Sequence, residues 1–184
     1  MPILEKILDA LGLVTVRGQK ATAVYEFARP ADANAYLAQD TIAGNTTVGQ
    51  GVAFLTFPLG RTLGGKGYIV KAKLMTSQAA NVARHRLYLF TKQPTMVADN
   101  GPYLLLYADR SINIGHIDFP ACYTSDGTNG TAAVSLAVPG VANLPLEYEC
   151  DPASVNLYGI LSTLDAFTPA SAQTYNITLS AEQD

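Results

Sequence analysis

Four groups of residues in this 184-residue chain have the types and spacing that chemistry uses. Gly60-x4-Gly65-Lys66 matches the glycine and lysine spacing of a phosphate-binding loop. That loop needs a Ser or Thr next, to hold magnesium, and then a helix. Here Gly67 follows, and "YIVKAKL" has the alternation of a strand, so a glycine-rich turn with an exposed lysine is expected. Glu147 and Glu149 lie two apart, which on a strand puts both carboxylates on one face. Glycoside hydrolysis needs a carboxylate on each side of the sugar, so this pair reads as a solvated edge that discourages strand pairing.

His116, Asp118, Cys122 and Cys150 offer ligand atoms, but their spacing fits no compact zinc pattern. The cysteines are expected as small, buried, free thiols. Neither histidine has a recognisable nucleophile partner, and no Gly-x-Ser-x-Gly elbow occurs. The fourth group is "YEFARPADANAYLAQDTIAG", residues 25 to 44, which gathers Arg29, Asp32, Tyr36 and Asp40 between apolar runs. Pro30 cannot donate to a sheet ladder and holds Arg29 extended, so a strand should end there. Asp32 and Asn34 suit a turn. Asp40 is then placed to tie down a turn or to pair with Arg29. No catalytic residue, cofactor or metal is assigned from these groups.

The elements that would position them are mostly strands. After Gly12, "TAVYEFA", "VAFLTF", "YIVKAKLMT", "RLYLFTK", "YLLLYA", "AAVSLAV", "PLEY", "VNLYGILST" and "TYNITLS" are short runs rich in β-branched and aromatic residues. Gly64-Gly65, Asn100-Gly101-Pro102, Asp126-Gly127 and Asn129-Gly130 punctuate them. Val70, Ala72 and Leu74 are expected inward, with Lys71 and Lys73 outward. Residues 87 to 90 and 103 to 107 are apolar on both faces, which predicts central strands or strands facing another subunit. The pattern predicts an all-β protein, an antiparallel sandwich of jelly-roll or Greek-key type over residues 17 to 184.

An N-terminal arm, residues 1 to 16, precedes it. Ile3, Leu4, Ile7, Leu8 and Leu11 share one face of a short helix, with Glu5, Lys6 and Asp9 opposite. A helix that short must dock its apolar face, on its own domain or on a neighbour. The arm lacks the long apolar stretch of a signal peptide, and no later run reaches membrane-spanning length, so the chain is expected to stay in the cytoplasm until it is assembled.

Composition narrows the class. Hydrophobic residues make up 48% and charged ones only 15%, enough for a core without disulfides. Charge is segregated: net −1 over residues 1 to 40, +7 over 41 to 98, and −9 over 99 to 184. The cations of the middle span are Arg61, Lys66, Lys71, Lys73, Arg84, Arg86 and Lys92. Either opposite patches meet between neighbouring molecules, or strands from both halves interleave and the segregation disappears in space. Net acidity weighs against nucleic acid as a partner. Among ten tyrosines, Tyr36, Tyr103, Tyr107 and Tyr123 lie near turns, where they either line interfaces or sugar sites or sit half buried.

"RPADANAYLAQDTIAG" resembles the opening segment of a family of small tailed-bacteriophage structural proteins. The resemblance continues through "VAFLTFPLGRTLGGKGYIVKAKLMTSQ", "RLYLFTKQPTMVADNGPYLLLYADR" and "IGHIDFP", covering about residues 24 to 120. It implies a virion component, with capsid decoration or cement as the leading role. The implied partners are the major capsid protein and further copies of the chain, as dimers or trimers. It marks Arg29, Pro30, Tyr36, Asp40, Phe90, Asp99 and Asn100 as scaffold positions and brings no enzyme activity. The arm face and the cations Arg61, Lys66, Lys71, Lys73, Arg84 and Arg86 are the expected contact residues. A tail-associated sandwich that recognises host glycans is the alternative.

Overall fold

The computed structural model describes residues 19–47, 54–78, 81–124, 131–136 and 143–183. The expected arm, with Ile3, Leu4, Ile7, Leu8 and Leu11, lies outside them, as do the expected turns at 126–130. Among the described residues eleven strands form two antiparallel sheets. One contains β1 (Gln19–Ala28), β4 (Lys66–Thr76), β7 (Tyr123–Thr124), β8 (Thr131–Leu136), β9 (Leu146–Glu149) and β11 (Thr174–Gln183). The other contains β2 (Thr41–Ile42), β3 (Leu55–Pro58), β5 (His85–Phe90), β6 (Asn113–Phe119) and β10 (Asn156–Thr163).

The pairing is nested. β5 pairs with β6, β4 with β8 and β9, β2 and β3 with β10, and β1 with β11. That is one long antiparallel ribbon folded back on itself. Rolling it up adds the pairings of β11 with β4 and of β10 with β5. The result is a jelly roll, the fold class the strand pattern predicts.

Alternation fills the space between the sheets. Phe27, Ile69, Leu74, Tyr175, Ile177 and Leu179 from one sheet meet Phe57, Leu87, Leu89, Ile117, Phe119, Leu157 and Leu161 from the other. Each such side chain contributes about 1.5–3 kcal/mol on burial. One expected position shifts. The β4–β11 register slips between Ser180 and Ala181, leaving Val70 as the extra residue of a bulge, and Ile69 takes the inward place instead.

A second correction concerns the apolar runs. Residues 87 to 90 lie in β5, a central strand, as expected. Its outer face is covered by the chain's own connection between β5 and β6. Phe90, Tyr103 and Ile160 form a small separate core there, packed by Tyr88, Val97, Ile112 and Tyr158. "YLLLYA" is therefore part of this covering loop, not a strand, and ends in a short 3-10 turn, Tyr107–Asp109. Residues 99 to 103 run beside residues 39 to 45, with hydrogen bonds such as Tyr103 N to Gln39 O (2.8 Å) and Asp99 N to Asn45 O (2.8 Å). Those bonds satisfy the backbone of the segment outside any named strand.

The strand pattern also missed β6. Gly115 has a positive φ of 128° at a register shift opposite Leu89 and Phe90. His116 and Asp118 break the apolar run, although Ile117 and Phe119 point inward as a strand requires.

Candidate functional site

Where β1 ends, Arg29 turns its side chain into the protein with no exposed surface. Pro30 follows and no further ladder forms, as its missing N–H dictates. Arg29 Nε donates to Tyr36 Oη (2.9 Å), and Nη2 donates to Asp32 Oδ1 (2.8 Å) and Asp99 Oδ2 (3.1 Å). Nη1 reaches the carbonyl of Asp32. Tyr36 Oη donates to Asp99 Oδ1 at 2.6 Å, and the Ala43 N–H donates to the same oxygen at 2.9 Å. The ring of Tyr36 stacks on Phe167 with centroids 5.1 Å apart, and its backbone pairs with that residue.

The sequence left Asp40 two roles, and the structure assigns one. Its Oδ2 accepts the N–H of Leu37 at 2.6 Å, closing the turn, while Asp32 and Asp99 take Arg29. Asn100, with its amide nitrogen turned inward, donates to Ala35 O and Asp40 Oδ2, each 3.1 Å. Five of the scaffold positions are thus one cluster: Arg29, Tyr36, Asp40, Asp99 and Asn100, with Pro30 at its border. Phe90 lies elsewhere, in the small core under the β5–β6 loop. Sequence reasoning did not find Asp32 as an acceptor for Arg29, nor Phe167 and Ala43 as partners. Asp32 carried the signal, three residues from Arg29; the other two carried none.

The electrostatics fix protonation. Burial opposes the Arg29 charge, but its bonds to Asp32 and Tyr36 and the field of Asp99 outweigh this, and its pKa rises. Burial and then the neighbouring Asp99 push the Tyr36 hydroxyl far above its ordinary value. Burial also raises the Asp99 carboxyl, against the pull of its donors. Near neutrality the guanidinium is held charged and the phenol protonated. The cluster ties the end of β1, the segment before β2 and the β5–β6 loop into one rigid clamp.

A second buried group lies inside the sandwich. His85, on the inner face of β5, has its Nδ1 3.9 Å from Cys122 Sγ and packs edge-on to Phe167 and Tyr175. Burial lowers its pKa to about 4 and pushes the Cys122 thiol up to about 12. Such a thiol is no nucleophile. Cys122 and Cys150 are both buried and free. Among the described residues no group of three or more His, Cys, Asp or Glu side chains is placed to hold a metal.

The expected contact cations divide. Arg84 bonds both carboxylate oxygens of Asp165 (3.0 and 2.7 Å), and Arg86 bonds both of Asp118 (2.6 and 2.8 Å). Lys92 pairs with Asp151 at 3.0 Å. Lys66 stands opposite Glu149 across β4 and β9, so Glu149 lies beside a lysine on the sheet edge. For these residues the basic and acidic halves interleave. Arg61 and Lys71 are exposed and Lys73 is partly so. The Arg61–Gly65 segment is the expected turn, with Gly65 N bonded to Thr62 O and Gly64 at a φ of 68°.

The tyrosines divide too. Tyr36 and Tyr103 are buried, whereas Tyr107 is 79% exposed and Tyr123 57%. Tyr107 closes an exposed apolar run with Leu104 (67% exposed), Leu105 and Leu106. Arg110 lies over the Tyr107 ring, 3.7 Å from its centroid. The buried Asp109 holds the loop by accepting the N–H and hydroxyl of Thr95. Thr91, Lys92, Gln93, Asp151, Ser154 and Tyr158 line a shallow polar groove of about 370 Å³.

Fold and clamp define an antiparallel jelly-roll sandwich stiffened by a buried ion network. No protein-family model matches the sequence, and no curated protein matches it. Among solved structures the chain is similar to a chain of the KBV activated particle at acidic pH (10% identity, TM-score 0.33, covering 100% of this chain and 77% of that one). It is also similar to chains of black queen cell virus (12% identity, TM-score 0.28, 94% and 70%) and of a marine algae virus of the order Picornavirales (12%, 0.27, 92% and 70%).

Proposed function

We propose that the protein is a non-enzymatic virion structural component, a capsid decoration or cement protein that docks on the outer surface of the major capsid lattice and works as a homo-oligomer. The observation that carries this reading is the exposed run Leu104 to Tyr107, held on a loop anchored by Asp109 and, further back, by the Asp99 clamp. Apolar surface on a rigid support suits a protein partner. The polar residues singled out by the bacteriophage resemblance are turned inward, where they stiffen the shell. Modest contacts of this kind add up when repeated over a lattice.

In this reading the arm, residues 1 to 16 with its face of Ile3, Leu4, Ile7, Leu8 and Leu11, latches onto a neighbour. Arg61, Lys66, Lys71 and Lys73 add charge to the contact, and Arg84 and Arg86 enter it as members of their ion pairs. The test is to mix purified protein with mature shells that lack it and pellet them. Saturation at a fixed ratio to capsid subunits, with shells gaining heat resistance, is expected. Deleting residues 1 to 12 should weaken binding or change the oligomeric state; no change in either removes the arm from the reading.

The groove beside Lys92 and Tyr158 favours one second reading, a tail-associated protein that recognises host glycans. It predicts saturable sugar binding by the isolated protein, and no shell binding.

A further inference from the structure

β1 is an edge strand whose backbone is left open to pairing. It pairs with β11 in an unbroken register over ten residues, Gln19↔Gln183 to Ala28↔Thr174, and among the described residues no strand pairs with its other edge. It has no bulge and no internal proline, devices that normally blunt an edge. The direction of its backbone follows from the next residue: Arg29 N bonds Gln173 O, continuing the same register. Alternation then turns the N–H and C=O groups of odd-numbered residues toward β11, and those of Lys20, Thr22, Val24, Glu26 and Ala28 toward the open edge. The same even-numbered side chains lie exposed on the outer face, Val24 by 54%.

We propose that this edge pairs with β1 of a second copy, antiparallel, about a two-fold axis at Ala23. The occupant is argued from charge. With Ala23 opposite Ala23, Lys20 of each copy lies opposite Glu26 of the other, and Thr22 lies opposite Val24. An isologous contact of this kind is self-complementary by symmetry. In this register the even-numbered residues, whose backbone groups are unpaired, become the hydrogen-bonded pairs, each exchanging two bonds. Sliding by two residues keeps the backbone bonds but removes both Lys–Glu pairs, so the charges select one register. Glu26 Oε2 accepts Asn176 Nδ2 at 2.9 Å, which holds the carboxylate in place and leaves Oε1 for the lysine. The dimer merges the two β1-containing sheets into one continuous sheet. It does not rest on the virion reading.

Sedimentation equilibrium of the full chain over a concentration series tests this, with melting temperature recorded for each variant. The wild type is expected to dimerise. Glu26→Lys should weaken the dimer about tenfold or more by opposing like charges twice. The double exchange Lys20→Glu, Glu26→Lys should restore it to within about threefold. Val24→Pro removes an N–H that faces the open edge, a position where proline is tolerated, and should abolish dimerisation while the monomer still melts cooperatively. A chain that stays monomeric throughout, a dimer indifferent to Glu26→Lys and Val24→Pro, or a failure of the double exchange to rescue each overturns the proposal.

Discussion

Tyr36 Oη donates to Asp99 Oδ1 at 2.6 Å, across 63 residues of sequence, and Arg29 bonds both residues from the end of β1. This contact ties the β5–β6 loop to the end of β1, and Asp109 holds the loop further along through Thr95. A buried charge without its partner is expensive, which gives the clamp its leverage on stability.

Removing Asp99 leaves Asp32 as the one carboxylate bonded to the Arg29 guanidinium and leaves the Tyr36 hydroxyl proton without its acceptor. Asp99→Ala should therefore cost about 3 kcal/mol or more, and Tyr36→Phe about 1–2 kcal/mol. The double variant should cost less than the sum, since the two share one network. Urea denaturation of all three measures this. Additive costs would mean that the network does not act as a unit.

His85 makes stability depend on pH. Its folded pKa is about 4, below the unfolded value of about 6.5. The unfolded chain therefore binds a proton first as pH falls. The stability is fully present above pH 6.5 and is lost progressively down to about pH 4, by roughly 3 kcal/mol. Asp165, held at about 2 by Arg84, acts only below that window. His116 is also lowered, chiefly by burial, and adds a smaller loss of the same sign. His85→Phe should flatten most of the slope between pH 6.5 and 4 in a series of denaturation midpoints. An unchanged slope would move the effect to His116.

How much of this was legible depends on whether the signal was local. The strands β4, β5, β10 and β11 declared themselves as runs rich in β-branched and aromatic residues, and Arg29-Pro30 marked the end of β1. "YLLLYA" misled because only Tyr103 of this apolar run is buried, against the outer face of β5 and β10, while Leu104 to Tyr107 stand exposed on the loop. β6 was hidden by His116 and Asp118, whose polarity reflects an outer face where Arg86 bonds Asp118. The clamp was half visible. Arg29, Tyr36 and Asp40 stood together in the chain, but the Asp99 contact depends on the roll of the ribbon, which no local pattern encodes.

Gly67 tests the close approach of β4 and β11. A Cβ there would run into the carbonyl oxygen of Glu182, a backbone atom with no rotamer in which to escape. Gly67→Ala should cost about 2 kcal/mol or more by forcing the strands apart, read as a lower melting temperature. Gly101→Ala meets chiefly the Val97 side chain at 3.1 Å and should cost less. Equal effects would mean that the strand spacing relaxes freely at Gly67.

The exposed loop separates binding from folding. Leu104 and Tyr107 are mostly out of the core, so changing either to Ser should alter stability by no more than about 0.5 kcal/mol. Their neighbours Tyr103 and Asp109 are buried and hold the loop, so its shape should survive. If this apolar run is the docking surface, the Leu104→Ser, Tyr107→Ser variant should keep its melting temperature yet fail to pellet with shells. Binding to shells at the wild-type ratio would instead place the contact elsewhere, and the arm and the basic positions Arg61 and Lys71 would be the next to change.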